Sequence, residues 1–234
     1  MGNVFRFKQF EVDQEGCAMR INTDGVLLAA IAAHVKPSRI LDIGTGTGVI
    51  ALMMAQRFPT ALIDAVEIDG SAALAAAGNF RSSPFADRVS AFQTDIAAYE
   101  PENRYDLIIS NPPFFVNDLK NPESRKSLAR HAAEDFFETL VLKAATLLSE
   151  VGVLWLILPV KSADQVVSIG KTAGLVLHKE VSICSDVTKP VIRKVIALGR
   201  TTRAAEEERL YIYEAEGVYT HAYKELLKDF FLAF

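Results

Sequence analysis

The chain has 234 residues, of which 50% are hydrophobic and 23% are charged, and its formal net charge at pH 7 is −4. This length suits one domain with a well-buried core, and the composition excludes a disordered chain. The net charge argues against nucleic-acid binding over the whole surface, but it leaves room for a local basic patch.

Membrane, secretory and metal-binding patterns are absent from the sequence. The longest apolar stretch, residues 151–160, contains Gly152 and Pro159 and is too short to cross a bilayer. No basic segment followed by an apolar one opens the chain, so we expect no signal peptide. Cys17 and Cys184 have neither metal-ligand spacing nor the density of a disulfide scaffold. We therefore expect a cytoplasmic protein without membrane or metal partners, as a monomer or a weak homodimer.

The first residues predict a short extension ahead of the main fold. Residues 5–12 and 17–21 predict the two strands of a hairpin. Capping side chains at 22–24 then precede an apolar helix at 26–31. We assign residues 1–36 to this N-terminal hairpin and helix extension.

From residue 37 onward, short apolar strands alternate with helices. Alternation of this kind predicts an α/β fold with a doubly wound, mostly parallel sheet. The uniformly apolar strand at 151–158 is expected at its centre, and the last two strands flank Pro190 as an antiparallel pair would. A single domain is predicted, with a cofactor-binding core at 37–200 and a C-terminal strand and helix extension at 201–234. The predicted strands are 40–43, 61–66, 89–92, 105–109, 151–158, 175–183 and 191–198, and the predicted helices are 49–58, 71–80, 135–148 and 162–173.

A glycine-rich turn follows the first strand of the core. The segment Asp42-Ile-Gly44-Thr-Gly46-Thr-Gly48 opens the next helix. Glycine permits positive φ and carries no Cβ, so the backbone can lie against a nucleoside-like cofactor. The glycine spacing differs from the dinucleotide fingerprint, which argues against a dehydrogenase. The alternative is that these glycines only shape the strand-to-helix turn.

Two acids end the next two strands. Glu67, about 20 residues after the turn, is placed to accept hydrogen bonds from ribose hydroxyls. Asp95 is placed for an adenine amino group or for a neighbouring backbone turn. Asp69 suits an N-cap of the following helix at least as well as a ligand contact.

The segment Asn111-Pro112-Pro113-Phe114 follows the fourth strand. Proline holds Asn111 in an extended conformation, and the two prolines stiffen the segment. The amide oxygen of Asn111 and the carbonyl of Pro112 can then accept both N–H groups of a planar amine, which exposes its lone pair to a methyl donor. Phe114 can stack on the target ring, whereas Phe115 suits the core equally well.

Basic residues follow this segment. Arg125, Lys126 and Arg130 are expected to hold phosphates while a flipped base reaches the pocket. Lys8 and Arg193 would add to this surface if the fold brings them together. The alternative for each of these residues is an ordinary solvated charge.

With these motifs, the chain resembles the class I S-adenosylmethionine-dependent methyltransferases, and more closely the bacterial valine-tRNA (adenine-37-N6)-methyltransferase family. The resemblance covers nearly the whole chain. It implies a Rossmann-like core of seven strands, one of them antiparallel, with S-adenosylmethionine as cofactor and tRNA as partner. The segments that carry it are Phe5-x-Phe7-Lys8-Gln9-Phe10-x-Val12, Thr23-Asp24-Gly25, Asp42 to Gly48, Glu67-Ile68-Asp69, Asn111 to Phe115 and Tyr219-Thr220-x-x-Tyr223.

The resemblance also assigns roles to residues of the site. It implies that Asn111 and Pro112 hold an adenine N6, with Phe114 where many relatives carry tyrosine. It implies that Thr23-Asp24-Gly25 closes over the cofactor, the alternative being that Thr23 merely caps the helix. The residues predicted to bind the cofactor are Asp42, Gly44, Gly46, Gly48, Glu67, Asp95 and Thr23.

Other functions remain open at this point. A guanine-N2 rRNA methyltransferase or a glutamine methyltransferase of a protein substrate could use the same Asn-Pro-Pro-Phe chemistry. A different class is a non-catalytic RNA-binding protein on a decayed methyltransferase core. The intact Asp42 to Gly48 turn, Glu67 and Asn111 argue against decay.

Overall fold

The computed structural model describes residues 3–15, 20–113 and 124–234, and the side chains of residues 124–134 lie outside the described part. Its elements in chain order are β1 (Val4–Arg6), β2 (Glu11–Asp13), α1 (Thr23–Ile31), β3 (Arg39–Ile43), α2 (Val49–Arg57), β4 (Leu62–Glu67), α3 (Gly70–Ser82), β5 (Val89–Gln93), a 3-10 helix (Ile96–Ala98), β6 (Tyr105–Ser110), α4 (Ser124–Leu147), β7 (Leu148–Leu158), α5 (Val160–Thr172), β8 (Val176–Cys184), β9 (Val191–Gly199), β10 (Glu206–Tyr211), β11 (Tyr213–Ala215), β12 (Val218–Tyr219) and α6 (His221–Leu227). The helices and strands of the predicted core all form, with ends shifted by a few residues; α4 differs most, beginning eleven residues early.

The central sheet has the strand order β10-β8-β9-β7-β6-β3-β4-β5. Only β9 runs against its neighbours β7 and β8; the other pairings within the described residues of this sheet are parallel. The predicted mostly parallel sheet with one antiparallel strand is therefore confirmed. The strand β7, expected at the centre, lies between β9 and β6.

The sheet contains eight strands in the described part of the chain, and the expectation of seven was too low by one. The additional strand is β10, which pairs in parallel with β8 at the sheet edge. Its first four residues are three glutamates and an arginine, all exposed, and only Leu210 is buried. An edge strand that faces water on both sides lacks the apolar alternation by which a strand is recognised.

The N-terminal hairpin forms within a shorter segment than predicted. β1 pairs antiparallel with β2, so residues 4–13 contain both strands, and the prediction of a return strand at 17–21 was wrong for the described residues Arg20 and Ile21. The Phe7 N–H donates to the Phe10 carbonyl over 2.9 Å, and the two buried rings stack at 4.5 Å. Burial of these two rings favours a turn where a continuous strand was expected.

Two hydrophobic cores cover the two faces of the sheet. One packs α1, α2, α3 and the hairpin against inward residues such as Ile63, Leu107 and Ile157. The other packs α4 and α5 against the alternate residues Leu41, Ile108 and Leu156. Burial of successive residues on opposite faces is the mark of a doubly wound sheet. None of the helices described is both long and apolar enough to span a bilayer.

Candidate cofactor and amine-binding site

A cavity of about 320 Å³ lies at the carboxyl ends of the parallel strands. From β3 the chain continues to β4 on one side of the sheet, and from β6 it continues to β7 on the other side. The order of the strands therefore reverses between β3 and β6. Ligands of open α/β sheets bind at such a reversal. The lining residues are Ile43, Gly44, Gly46, Val66, Glu67, Ile68, Asp69, Ala72, Thr94, Asp95, Ile96, Ser110, Asn111, Pro112, Pro113 and Phe136.

The three glycines of the turn all have positive φ, of 71°, 55° and 84° for Gly44, Gly46 and Gly48. At Gly44 and Gly46 an added Cβ would meet no atom of the described residues within 4 Å, and both residues line the cavity. An added Cβ at Gly48 would lie 2.4 Å from Cε1 of Phe80, and Gly48 does not line the cavity. The first two glycines thus leave open space for a ligand, whereas the third permits close packing of α2 on α3.

Glu67 joins the glycine turn to the end of β4. One carboxylate oxygen accepts the Gly46 N–H over 2.9 Å, and the other accepts the Asp69 N–H over 3.0 Å. The side chain is half-buried and lines the cavity. Each carboxylate oxygen has a further lone pair, so Glu67 can still accept from a diol.

The acids at positions 69 and 95 both line the cavity and both cap helices. Asp69 accepts the Ala72 N–H over 2.8 Å and so begins α3, as the capping interpretation predicted. Asp95 accepts the Ala97 N–H over 2.9 Å at the start of the 3-10 helix. Asp95 therefore holds the backbone beside the cavity, and the exposed residue is itself part of the cavity lining.

Asp42 lies beneath the turn, fully buried and outside the cavity lining. Burial raises its pKa to about 7, the charge of Glu67 adds to this, and hydrogen bonding from Thr45 opposes it. The Thr45 hydroxyl donates to Oδ2 over 2.6 Å, and a backbone hydrogen bond from Ala51 also stabilises the charged carboxylate. From this buried position beneath the glycine turn, Asp42 can stabilise the turn.

Asn111 follows β6 and lines the cavity together with Pro112 and Pro113. Its amide nitrogen donates to Oδ1 of Asn22 over 3.4 Å. Its own Oδ1 is buried and accepts no hydrogen bond from the residues that the structure describes. A buried acceptor without a partner is costly, so this oxygen is suited to a donor supplied by a ligand.

The sequence did not indicate that Asn22 and Phe136 belong to the site, although Asn22 was among the predicted capping side chains. Asn22, and not Thr23, is the N-cap of α1, which makes the capping alternative for Thr23 wrong. Phe136 is half-buried, packs against the core that α4 covers and also lines the cavity, whereas its neighbour Phe137 is buried. Adjacent helical residues point about 100° apart, so the Phe136-Phe137 pair signalled that the two rings have different surroundings.

Several predicted residues lie away from the cavity. Thr23 is exposed at the start of α1 and does not line it. Arg193 forms an ion pair with Asp24 over 2.7 Å. Lys8 donates to the backbone oxygens of Lys228 and Phe234. Both cations therefore have protein partners.

Other predicted residues lie outside the described part. These are Phe114 and Phe115 of the proline segment, and the side chains of Arg125, Lys126 and Arg130. Their roles stay predictions. Within the described ranges, no three His, Cys, Asp or Glu side chains are grouped as metal ligands would be.

Comparison with known proteins identifies relatives along the full chain. The family model "methyltransferase small domain" matches residues 20–166. The tRNA1(Val) (adenine(37)-N6)-methyltransferase of Pedobacter heparinus is 57% identical over 234 residues, covering 100% of both chains. The protein of the same name from Dyadobacter fermentans is 41% identical and covers 98% of each chain.

Solved structures share the fold at low identity. The "predicted O-methyltransferase" of Agrobacterium tumefaciens has a TM-score of 0.69 at 19% identity, covering 88% of this chain and 96% of that one. The ribosomal protein L11 methylase of Lactobacillus delbrueckii subsp. bulgaricus has a TM-score of 0.59 at 16% identity, covering 82% and 84%. These likenesses confirm the Rossmann-like class I methyltransferase fold.

Proposed function

The chain belongs to the methyltransferase small domain family, among the tRNA1(Val) (adenine(37)-N6)-methyltransferases, and on this premise we propose that it methylates N6 of adenine 37 in valine tRNA. S-adenosylmethionine is the methyl donor, supplying an electrophilic methyl group on a sulfonium centre. The substrate assignment is supported by 57% identity over the full chain to a relative of that name. The proposed chemistry depends chiefly on one observation: Oδ1 of Asn111 is buried beside the cavity and has no hydrogen-bond partner among the described residues.

The described residues fit this donor. Gly44 and Gly46 leave open space beside the backbone, which a nucleoside and an amino-acid moiety need. Glu67 is held in place by two backbone N–H groups and can accept from ribose hydroxyls. Ile68 and Ile96, which line the cavity together with Asp95, supply apolar surface for a purine ring.

The Asn111 segment then binds the acceptor amine. Oδ1 of Asn111 and the carbonyl oxygen of Pro112 accept the two N–H groups of N6, which favours a pyramidal nitrogen with its lone pair directed at the methyl carbon. Gly44, Gly46 and Glu67 would hold S-adenosylmethionine, which would supply the methyl group, and the methylated nitrogen would release one proton to solvent. Stabilisation of the positive charge that develops on nitrogen makes a strong base unnecessary. Alignment of the reacting atoms supplies much of the remaining rate enhancement.

We place the reaction in the cytoplasm, where tRNA is used, and expect Phe114 to stack on the adenine. Charged residues after the proline segment, Arg125, Lys126 and Arg130, would hold the tRNA backbone. The guanine-N2 and glutamine alternatives are not favoured, since both relatives named above carry the adenine(37)-N6 designation.

The test uses unmodified tRNA and rRNA with methyl-labelled S-adenosylmethionine. We expect labelled N6-methyladenosine in valine tRNA at position 37. Label in N2-methylguanosine of rRNA would support the first alternative and overturn the proposal. A protein that binds S-adenosylmethionine in calorimetry but labels neither RNA would support the non-catalytic alternative.

A further inference from the structure

Asn22 and Asn111 are 89 residues apart in sequence and in contact in the fold. Asn22 precedes α1, and its Oδ1 accepts two hydrogen bonds. One comes from the Gly25 N–H over 2.9 Å, and the other from Nδ2 of Asn111 over 3.4 Å. The cap of one helix is thus also a partner of the residue proposed to bind the amine.

These two bonds determine which way each carboxamide is rotated. The Gly25 N–H is a donor, so Asn22 must turn its oxygen toward it. That oxygen carries no proton, so Asn111 must present its nitrogen there, because the opposite rotation would place two oxygens against each other. The oxygen of Asn111 is consequently directed away from Asn22, and it is the atom left buried without a partner among the described residues.

The first turn of α1 is itself fixed beside Asn111. A Cβ at Gly25 would lie 3.5 Å from Nδ2 of Asn111 and 3.5 Å from Cδ1 of Ile50, so the helix backbone packs at contact distance. Asp24 pairs with Arg193 of β9 over 2.7 Å. Both partners are largely buried, with 20% and 31% of their side chains exposed, so the pair is more than a solvated surface contact.

We propose that Asn22 is a positioning residue for methyl transfer: it holds the carboxamide of Asn111 in the rotation that presents Oδ1 to the target amine. The inference rests on the proposed function. It assigns a role in the reaction to the α1 cap, which contacts the amine only through Asn111. Without this contact, the carboxamide would be free to rotate and would offer N–H groups to an amine that needs acceptors.

Two substitutions of Asn22 separate positioning from capping. Asn22→Ser keeps an N-cap, since serine caps helices about as well as asparagine, but its shorter side chain withdraws the acceptor from Asn111. We expect kcat to fall about tenfold while KM and Kd for S-adenosylmethionine change less than twofold. Asn22→Asp keeps an acceptor oxygen at the same length, and we expect it to restore kcat to within about threefold of wild type. Unchanged kcat in Asn22→Ser would overturn the proposal.

A double-mutant cycle tests the route of the effect. In the Asn111→Ala background, Asn22→Ser should change the single-turnover rate less than twofold, because the carboxamide it orients is gone. The same tenfold loss in both backgrounds would show a purely structural role and contradict the proposal. Thr220→Ala, which removes the cap of α6, serves as a control for helix destabilisation without loss of kcat.

A spectroscopic measurement keeps this test separate from the proposed function. The side-chain amide resonance of Asn111, assigned by its absence in Asn111→Ala, should shift in Asn22→Ser and stay in place in Thr220→Ala. If it shifts while the wild type methylates no tRNA, the proposed function fails and the contact stands. A resonance unchanged by Asn22→Ser overturns the positioning inference whatever the activity.

Discussion

The backbone N–H of Gly46 donates a hydrogen bond to Oε2 of Glu67 over 2.9 Å. The other oxygen, Oε1, accepts from the backbone N–H of Asp69 over 3.0 Å. One carboxylate therefore ties the turn after β3 to the segment after β4, on the two sides of the proposed cofactor site. The link between the two segments requires both carboxylate oxygens of Glu67 to act as acceptors.

Replacement of this acid by its amide tests that dependence. In Glu67→Gln only one oxygen can accept, so one backbone N–H loses its partner and the turn loosens. We expect calorimetric affinity for S-adenosylmethionine to fall about tenfold or more, in line with loss of roughly 1.5–3 kcal/mol for a charged hydrogen bond. Asp69→Asn removes one negative charge close to Glu67 but keeps an N-cap. Its affinity for S-adenosylmethionine should therefore fall less than threefold. Equal losses in both variants would point to charge alone.

Two alanine substitutions in the glycine turn should separate ligand contact from packing. Gly46 and Gly48 both have positive φ, which costs an alanine roughly 1–2 kcal/mol. Gly48→Ala must also displace the buried Phe80 ring. Its free energy of unfolding, measured in urea, should therefore fall further than that of Gly46→Ala. The Cβ of Gly46→Ala meets no atom of the described residues within 4 Å but fills ligand space, so Gly46→Ala should lose more cofactor affinity than Gly48→Ala. The reverse order in either measurement would contradict the assignment.

Asp42 should make stability depend on pH near neutrality. Its pKa is about 7 in the folded protein against an ordinary value of 3.8, so between these values the folded state holds a proton that the unfolded state has lost. The contribution is fully present below pH 3.8 and is lost as the pH rises through about 7, on the order of 1.4 kcal/mol per unit. Asp42→Asn should flatten this decline and be more stable than wild type at pH 8. A variant with the wild-type slope would show that another group titrates.

The basic residues should divide into structural and RNA-binding sets. Lys8→Met removes donors from two backbone oxygens near the C-terminus, so it should lower Tm and leave the salt dependence of tRNA binding unchanged. Charge reversal at Arg125, Lys126 and Arg130 should instead weaken binding and reduce the slope of log K against log salt by about one per lost phosphate contact. Unchanged affinity and slope after the triple reversal would remove these residues from the RNA surface.

Much of the core could be predicted because its strands are short apolar runs between recognisable turns. The segment Asp42 to Gly48 marked the end of the strand at 40–43 and the start of the helix at 49–58, and Pro59 marked the end of that helix. Both elements were predicted to within one residue at each end. The site at the strand ends followed from parallel pairing, which brings Gly44, Glu67 and Asn111 to one edge of the sheet.

What could not be predicted depends on contacts distant in sequence or on exposed elements. The Asn22–Asn111 contact joins residues 89 apart, and no local pattern encodes it. The strand β10 is charged on both faces, so periodicity hides it. Lys8 carries the charge expected of a phosphate contact. Only its folded position beside Phe234 shows that the Lys8 ammonium donates within the protein.

The single-turnover rate of Asn111→Ala, at saturating tRNA and S-adenosylmethionine, tests the role of this residue most directly. Loss of an acceptor that acts in the transition state should lower the rate by at least about 10²-fold, with cofactor Kd within about threefold of wild type. This outcome is predicted because Oδ1 of Asn111 is a buried acceptor that no residue in the described part of the chain occupies. A rate within about threefold of wild type would contradict the account.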